Sequence, residues 1–175
     1  PMLDITQALS SLTTHYSLLT TLYWQVFVVA VKNEVKEVLL LSQPTEQSII
    51  TAIDLVAPEQ SFSFDLKDLK DPKDPKDPKD PKDLTSYPYL YEPNAAIIKA
   101  GAFRLIAEQY ELQKLDTNTH LYTSDTCISG FPGRIWQVLD AEIKEPKRQL
   151  DKSVCYSIIS RNYPLSPDEI RKKYK

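Results

Sequence analysis

Between Asp65 and Asp83 the chain carries Asp-Leu-Lys twice and then Asp-Pro-Lys four times, a strict three-residue period. Proline fixes φ, has no amide donor and disfavours helix in the residue before it. Pro72, Pro75, Pro78 and Pro81 therefore impose an extended polyproline path with three residues per turn. Successive lysines then stand roughly 9 Å apart, given a rise of about 3.1 Å per residue. That spacing is close to the Debye length of physiological salt, and each lysine has aspartates beside it. Such a segment buries no core and reads as a hydrated spacer over residues 65–86. It separates two segments, 1–64 and 87–175, which must supply all the packed structure.

The charge on the two sides differs. Residues 1–64 carry two lysines against six acids, net −4, whereas residues 84–175 carry thirteen basic and eleven acidic residues, net +2. Within the latter, Lys144–Lys175 has nine basic and four acidic residues, net +5, so an overall charge of −3 hides a basic C-terminal end. Only three glycines occur, Gly101, Gly130 and Gly133, where average usage predicts about a dozen. No G-x-G-x-x-G turn or G-x-x-x-x-G-K-[ST] loop can be drawn, which excludes a self-contained dinucleotide or P-loop site of the usual kind. The longest apolar stretch, Trp24–Val31, is far short of the roughly 20 residues that span a bilayer, so a soluble, cytoplasmic protein without a membrane segment is expected. Cys127 and Cys155 read as two buried, reduced thiols. A start at Pro1 and an end inside a helical pattern lead us to expect a fragment, truncated at the C-terminus.

Leu3–Leu12 has apolar residues at helical spacing, with Asp4 placed to cap. Trp24–Val31 and Val35–Leu41, joined by Lys32-Asn33-Glu34, predict a β-hairpin; Ile49–Leu55 and Phe62–Phe64 predict further strands. This first segment reads as one flank of a larger sheet. Beyond the spacer, Tyr87–Tyr91 leads into a helix over about Ala95–Tyr110, in which Gly101 would permit a close backbone approach. His120–Thr123, Arg134–Leu139 and Val154–Arg161 predict strands, the last with Val154, Tyr156 and Ile158 on one face, and Gly130–Gly133 a turn. Ser166-Pro167-Asp168-Glu169 is a helix start: N-cap, proline at the first position, and capping box. The fold class expected is α+β.

Chemistry-bearing motifs are sparse. His15, His120, Cys127 and Cys155 lack zinc-ligand spacing, and Cys127 with His120 reads better as a half-buried thiol and a strand histidine than as a nucleophile and base. No catalytic, cofactor-binding or metal-binding residue is assigned. Gly130-Phe131-Pro132-Gly133 matches a KH loop only in its glycines, because its flanks are strand-like. The basic end is the best functional candidate: Lys144, Lys147, Arg148, Lys152, Arg161, Arg171, Lys172, Lys173 and Lys175 could share one face with Tyr156 and Tyr163. Such a face would hold RNA phosphates and stack unpaired bases. The competing reading is an ordinary solvated surface.

Four stretches together carry a resemblance: Pro1–Thr6, Val28–Glu34, Tyr89–Gly101 and Ser160–Ser166, the most specific being Glu92-Pro93-Asn94-Ala95-Ala96-Ile97-Ile98-Lys99-Ala100-Gly101. They resemble the C-terminal half of bacterial class I S-adenosylmethionine-dependent methyltransferase-like proteins that end in a THUMP-like domain. The resemblance implies that residues 1–64 are the last helix and strands beside the methyltransferase sheet, arranged as a ferredoxin-like subdomain. Residues 87–175 would be most of the THUMP-like domain, with Glu92, Pro93, Asn94, Lys99 and Gly101 as family-motif positions. The cofactor loop and catalytic region would lie upstream, so S-adenosylmethionine belongs to the full-length parent. The implied function is a noncatalytic portion of a methyltransferase that binds and orients a structured RNA, with the upstream methyltransferase domain as partner. The alternative is a protein-docking module that makes no RNA contact.

Overall fold

The computed structural model describes residues 5–15, 23–43, 46–70, 87–116, 119–141, 143–151, 153–161 and 163–174. Two four-stranded sheets are joined through one short helix. Helix α1 (Ile5–His15) is followed by β1 (Tyr23–Val31), β2 (Glu34–Gln43), β3 (Ile49–Asp54) and β4 (Gln60–Asp65), in the order β2-β1-β3-β4. β1 and β2 form the antiparallel hairpin expected from their β-branched runs, while β1 and β3 are parallel, so Ala30 lies opposite Asp54 where both strands end. Lys32 (φ 52°) and Asn33 (φ 64°) make the two-residue turn, whose paired positive φ values match the twist of the flanking strands. Every second residue of β1, Trp24, Val26, Val28 and Ala30, is buried, as are Ile50 and Ala52 of β3 and Phe62 of β4. The period of two puts them on one face.

That face is covered from the other half of the chain. β5 (Tyr89–Pro93) leads through Asn94 into α2 (Ala95–Ala100), which packs across β1, β2 and β3 and buries Ala96, Ile97 and Ala100. The Asn94 side chain accepts from Ile97 N at 3.1 Å as N-cap, and Asn33 Oδ1, in the hairpin turn, accepts from Ala95 N at 2.7 Å. The predicted continuous helix over Ala95–Tyr110 is two helices. Gly101, at φ +75°, caps α2 in the left-handed region with Gly101 N and Ala102 N bonded back to Ile98 and Ile97 carbonyls, and α3 (Phe103–Gln109) starts anew. A Cβ at Gly101 would meet nothing within 4 Å, so the expected close approach is absent there and the glycine serves its φ. The close approach is at Gly133, where a Cβ would strike the Glu92 carbonyl oxygen and stand 2.9 Å from Pro93 Cα.

The second sheet has the order β6-β7-β5-β8, all antiparallel, with β6 (Gln113–Lys114), β7 (Tyr122–Ser124) and β8 (Gly133–Gln137). Its centre is β5, which the sequence reading passed over as a lead-in to the helix. The strand fits between Pro88 and Pro93, which are tolerated at strand ends. Tyr91 and Tyr122 lie opposite each other and are fully buried, with Phe131 edge-on to Tyr91 at 5.1 Å. Helices α4 (Pro146–Gln149) and α5 (Pro167–Tyr174) follow.

Several expectations change. Val154–Arg161 is not a strand. Among the described residues no sheet edge pairs with it, and Val154, Tyr156 and Ile159 are each about half exposed. Both cysteines are exposed rather than buried. The ordered chain continues into the start of the repeat, since Asp65 closes β4 and Leu66–Lys70 forms a 3-10 helix with Leu66 and Leu69 against the core; the Asp-Pro-Lys units lie outside the described residues, as does Asp4. The capping box at α5 is as expected: Ser166 N donates to Glu169 Oε2 at 2.8 Å and Glu169 N to Ser166 Oγ at 3.3 Å.

Candidate functional site

The register of the second sheet decides what its outer face presents. Tyr91 points to the helices, so Leu90 and Glu92 point the other way, opposite Trp136 and Arg134 of β8. Leu90, Glu92 and Trp136 of this face line a cleft of about 720 Å³ together with Ile159, Arg161, Tyr163 and Tyr174 of the C-terminal segment.

Glu92 is the polar hub. Its side chain is 7% exposed, yet it lies in a run otherwise apolar. Burying a carboxylate costs several kcal/mol unless cations and donors replace water. Arg161 does so: its Nε and Nη2 donate to Oε1 at 2.8 and 2.5 Å, across 69 residues of sequence. Arg134 Nη1 stands 3.8 Å from Oε2, which accepts no hydrogen bond. The Glu92–Arg161 pair thus ties the C-terminal segment to the sheet; Arg134 and Arg161 both remain about half exposed, and Arg161 lines the cleft.

The basic candidates divide by this geometry. Arg161 is committed to Glu92. Arg148 pairs with Glu145 at 2.9 Å and Arg171 with Asp168 at 2.9 Å, which reduces the positive field they offer. Lys144, Lys147, Lys172 and Lys173 are exposed, and Lys173 Nζ lies 5.4 Å from the Tyr174 ring centre. Lys152 and Lys175 lie outside the described residues. Tyr163 lines the cleft, whereas Tyr156 accepts a hydrogen bond from Asp151 N at 3.0 Å. The sequence reading missed Trp136, Leu90 and Arg134; an isolated acid, Glu92, between apolar neighbours was the signal that a cation had to meet it.

The family-motif residues lie on β5 and α2. Glu92 holds Arg161, Pro93 ends β5, Asn94 and Gly101 cap the two ends of α2, and Lys99 sits in its last turn. His120 stacks on Phe103 with ring centres 4.0 Å apart, and Cys127 lies between Thr126 and Ile128, whose backbones hold the Tyr91 hydroxyl. Among the described residues no three His, Cys, Asp or Glu side chains gather as a metal site. No helix among them is long and apolar enough to cross a membrane. Of the three glycines, Gly101 ends a helix, Gly130 (φ +78°) turns a loop and Gly133 is packed against β5.

Residues 89–132 match a ferredoxin-like domain family. This match falls within the segment for which the resemblance implied a THUMP-like domain, and not on residues 1–64. No curated protein matches the chain. Among solved structures, the crystal structure of a "putative methyltransferase" from Porphyromonas gingivalis W83 is similar over 90% of this chain, at 34% identity and a TM-score of 0.66. The chain spans 41% of that protein's length, so its likeness is to a part of a longer molecule.

Proposed function

We propose that this chain is the substrate-orienting, noncatalytic part of an S-adenosylmethionine-dependent methyltransferase, and that its substrate is a structured RNA. The observation that carries the reading is the cleft between the second sheet and the C-terminal segment. Trp136, Tyr163 and Tyr174 offer aromatic surface of the kind that holds an unstacked base, worth about 1–3 kcal/mol per base. Lys172 and Lys173 on α5, with Lys144 and Lys147 before it, supply phosphate contacts whose strength comes from counterion release. The likeness to the Porphyromonas gingivalis protein supports the methyltransferase part of the reading. In the parent, the cofactor loop and S-adenosylmethionine would belong to the portion outside this chain, and the upstream catalytic domain would be its partner.

Transfer RNA titrated against the chain at several salt concentrations tests this. We expect micromolar binding that weakens steeply with salt, a flatter salt dependence when Arg171, Lys172 and Lys173 are all changed to glutamate, and quenching of Trp136 fluorescence on binding. No binding at low salt overturns the RNA reading. It would favour the second reading, a protein-docking surface, which the exposure of Leu139 (89%), Val154 (50%) and Ile159 (50%) supports.

A further inference from the structure

The Glu92 carboxylate is met by two arginines that come from different elements. Arg161 belongs to the C-terminal segment and holds Oε1 through Nε and Nη2. Arg134 belongs to β8, where it stands directly opposite Glu92 in the antiparallel register. Cross-strand neighbours have Cβ atoms about 4.5–5.5 Å apart, so this second guanidinium stays within reach of the carboxylate whether or not the C-terminal segment is in place. Its Nη1 is 3.8 Å from Oε2, and Oε2 accepts no hydrogen bond. A second ion pair is therefore prepared there but not closed.

The C-terminal segment adds nothing to the buried core. Among the described residues from Leu139 on, none is buried, and none belongs to the apolar cluster that joins the two sheets or packs against it. Local stability follows buried apolar contact, so this part of the chain can open while both sheets stay folded. Opening would ordinarily leave the carboxylate without its cation, and a buried charge stripped of its partner is costly. Arg134 removes that obstacle, because it can take the carboxylate as Arg161 leaves. It also works against the closed state, in which two like charges stand at one carboxylate.

We propose that Glu92 is a two-position latch. Closed on Arg161, it holds the C-terminal segment at the sheet and completes the cleft; open on Arg134, it releases the segment and uncovers Leu90 and Trp136. Tyr163 and Tyr174 reach the cleft only from that segment, so exchanging one arginine for the other makes and unmakes its aromatic walls. The inference deepens the reading of the cleft as an RNA site and rests on it for what enters, whereas the latch itself is tested without RNA.

The two arginines face the same carboxylate, yet the latch gives their removal opposite effects on the segment. Hydrogen exchange of the full chain follows the Ile170 amide, which donates to Ser166 O at 3.0 Å within α5, against the amides of β1 as a reference. Acrylamide quenching follows Trp136, since Trp24 is buried. Arg161→Met removes the closed pair; it should speed exchange at Ile170 at least about tenfold and raise quenching, with β1 unchanged. Arg134→Met removes the open pair; it should slow exchange at Ile170 by about threefold and lower quenching. Faster exchange in both variants would make Arg134 a mere support of the closed pair and overturn the latch. An Ile170 amide that Arg161→Met leaves unchanged, or equal changes at Ile170 and in β1, would overturn it too. Arg161→Lys keeps the charge without the two-bond geometry and provides a second variant if Arg161→Met does not fold; it should act in the same direction more weakly. If the two variants diverge as stated and transfer RNA does not bind, the RNA reading falls and the latch stands. If transfer RNA binds and the variants exchange alike, the latch falls and the RNA reading stands.

Discussion

Tyr91 shows how much of the second half hangs on one side chain. Its ring is fully buried, its hydroxyl donates to the Thr126 carbonyl at 2.7 Å, and Ile128 N donates to it at 2.9 Å. Burial pushes the hydroxyl above the usual tyrosine range, against the opposing pull of the Ile128 N–H. A folded value above the unfolded one, about 10, means that the neutral hydroxyl's contribution is complete below pH 10 and is lost as pH rises through the folded value. Urea unfolding should therefore show falling stability on the alkaline side. Tyr91→Phe should lose about 1–3 kcal/mol at pH 7, because Ile128 N and Thr126 O are left without their partner, and should show a smaller further loss at high pH. Identical alkaline slopes for the two proteins would mean that another group controls the transition.

At the scale of elements, the two glycines of the motif region test two different constraints. Gly101 ends α2 with open space around it, so Gly101→Ala meets only the backbone cost of a left-handed residue, about 1–2 kcal/mol, and Gly101→Asn less. Gly133→Ala drives a methyl into β5 and against Phe131 Cε1 at 2.6 Å, so its loss should exceed that of Gly101→Ala. Thermal melts of the two variants check the order. The same contrast explains what could be read from the sequence. The hairpin was legible because Trp24–Val31 and Val35–Leu41 are runs that only a half-buried ladder uses well, and α5 because Ser166, Pro167 and Glu169 satisfy its first turn locally. The break at Gly101 depended on a φ value, and β5 was hidden by prolines at both ends. Val154–Arg161 has the alternation of a strand but pairs with no sheet edge among the described residues. The basic residues were visible as charges, whereas the cleft was not, because it is made by the register that puts Leu90 and Glu92 opposite Trp136 and Arg134 and by an ion pair spanning 69 residues.

At the scale of the molecule, α2 belongs by sequence to the second half and by packing to the first. Ile97 is fully buried in a single apolar cluster that includes Val28 and Ile50 of the first sheet and Tyr91 of the second. Ile97→Ala should cost about 2–5 kcal/mol. Hydrogen exchange should then show amides of β1 and β5 losing protection by the same amount, since local openings of one cooperative unit share one free energy. Loss confined to one sheet would mean that the sheets unfold separately.

Because the turn residue Asn33 caps a helix that begins 62 residues later, the junction is an interface between two segments more than a continuation of either. The contact is made through space by one side-chain oxygen and one backbone N–H, so further Asp-Pro-Lys triplets inserted between the two segments would leave both of its partners in place.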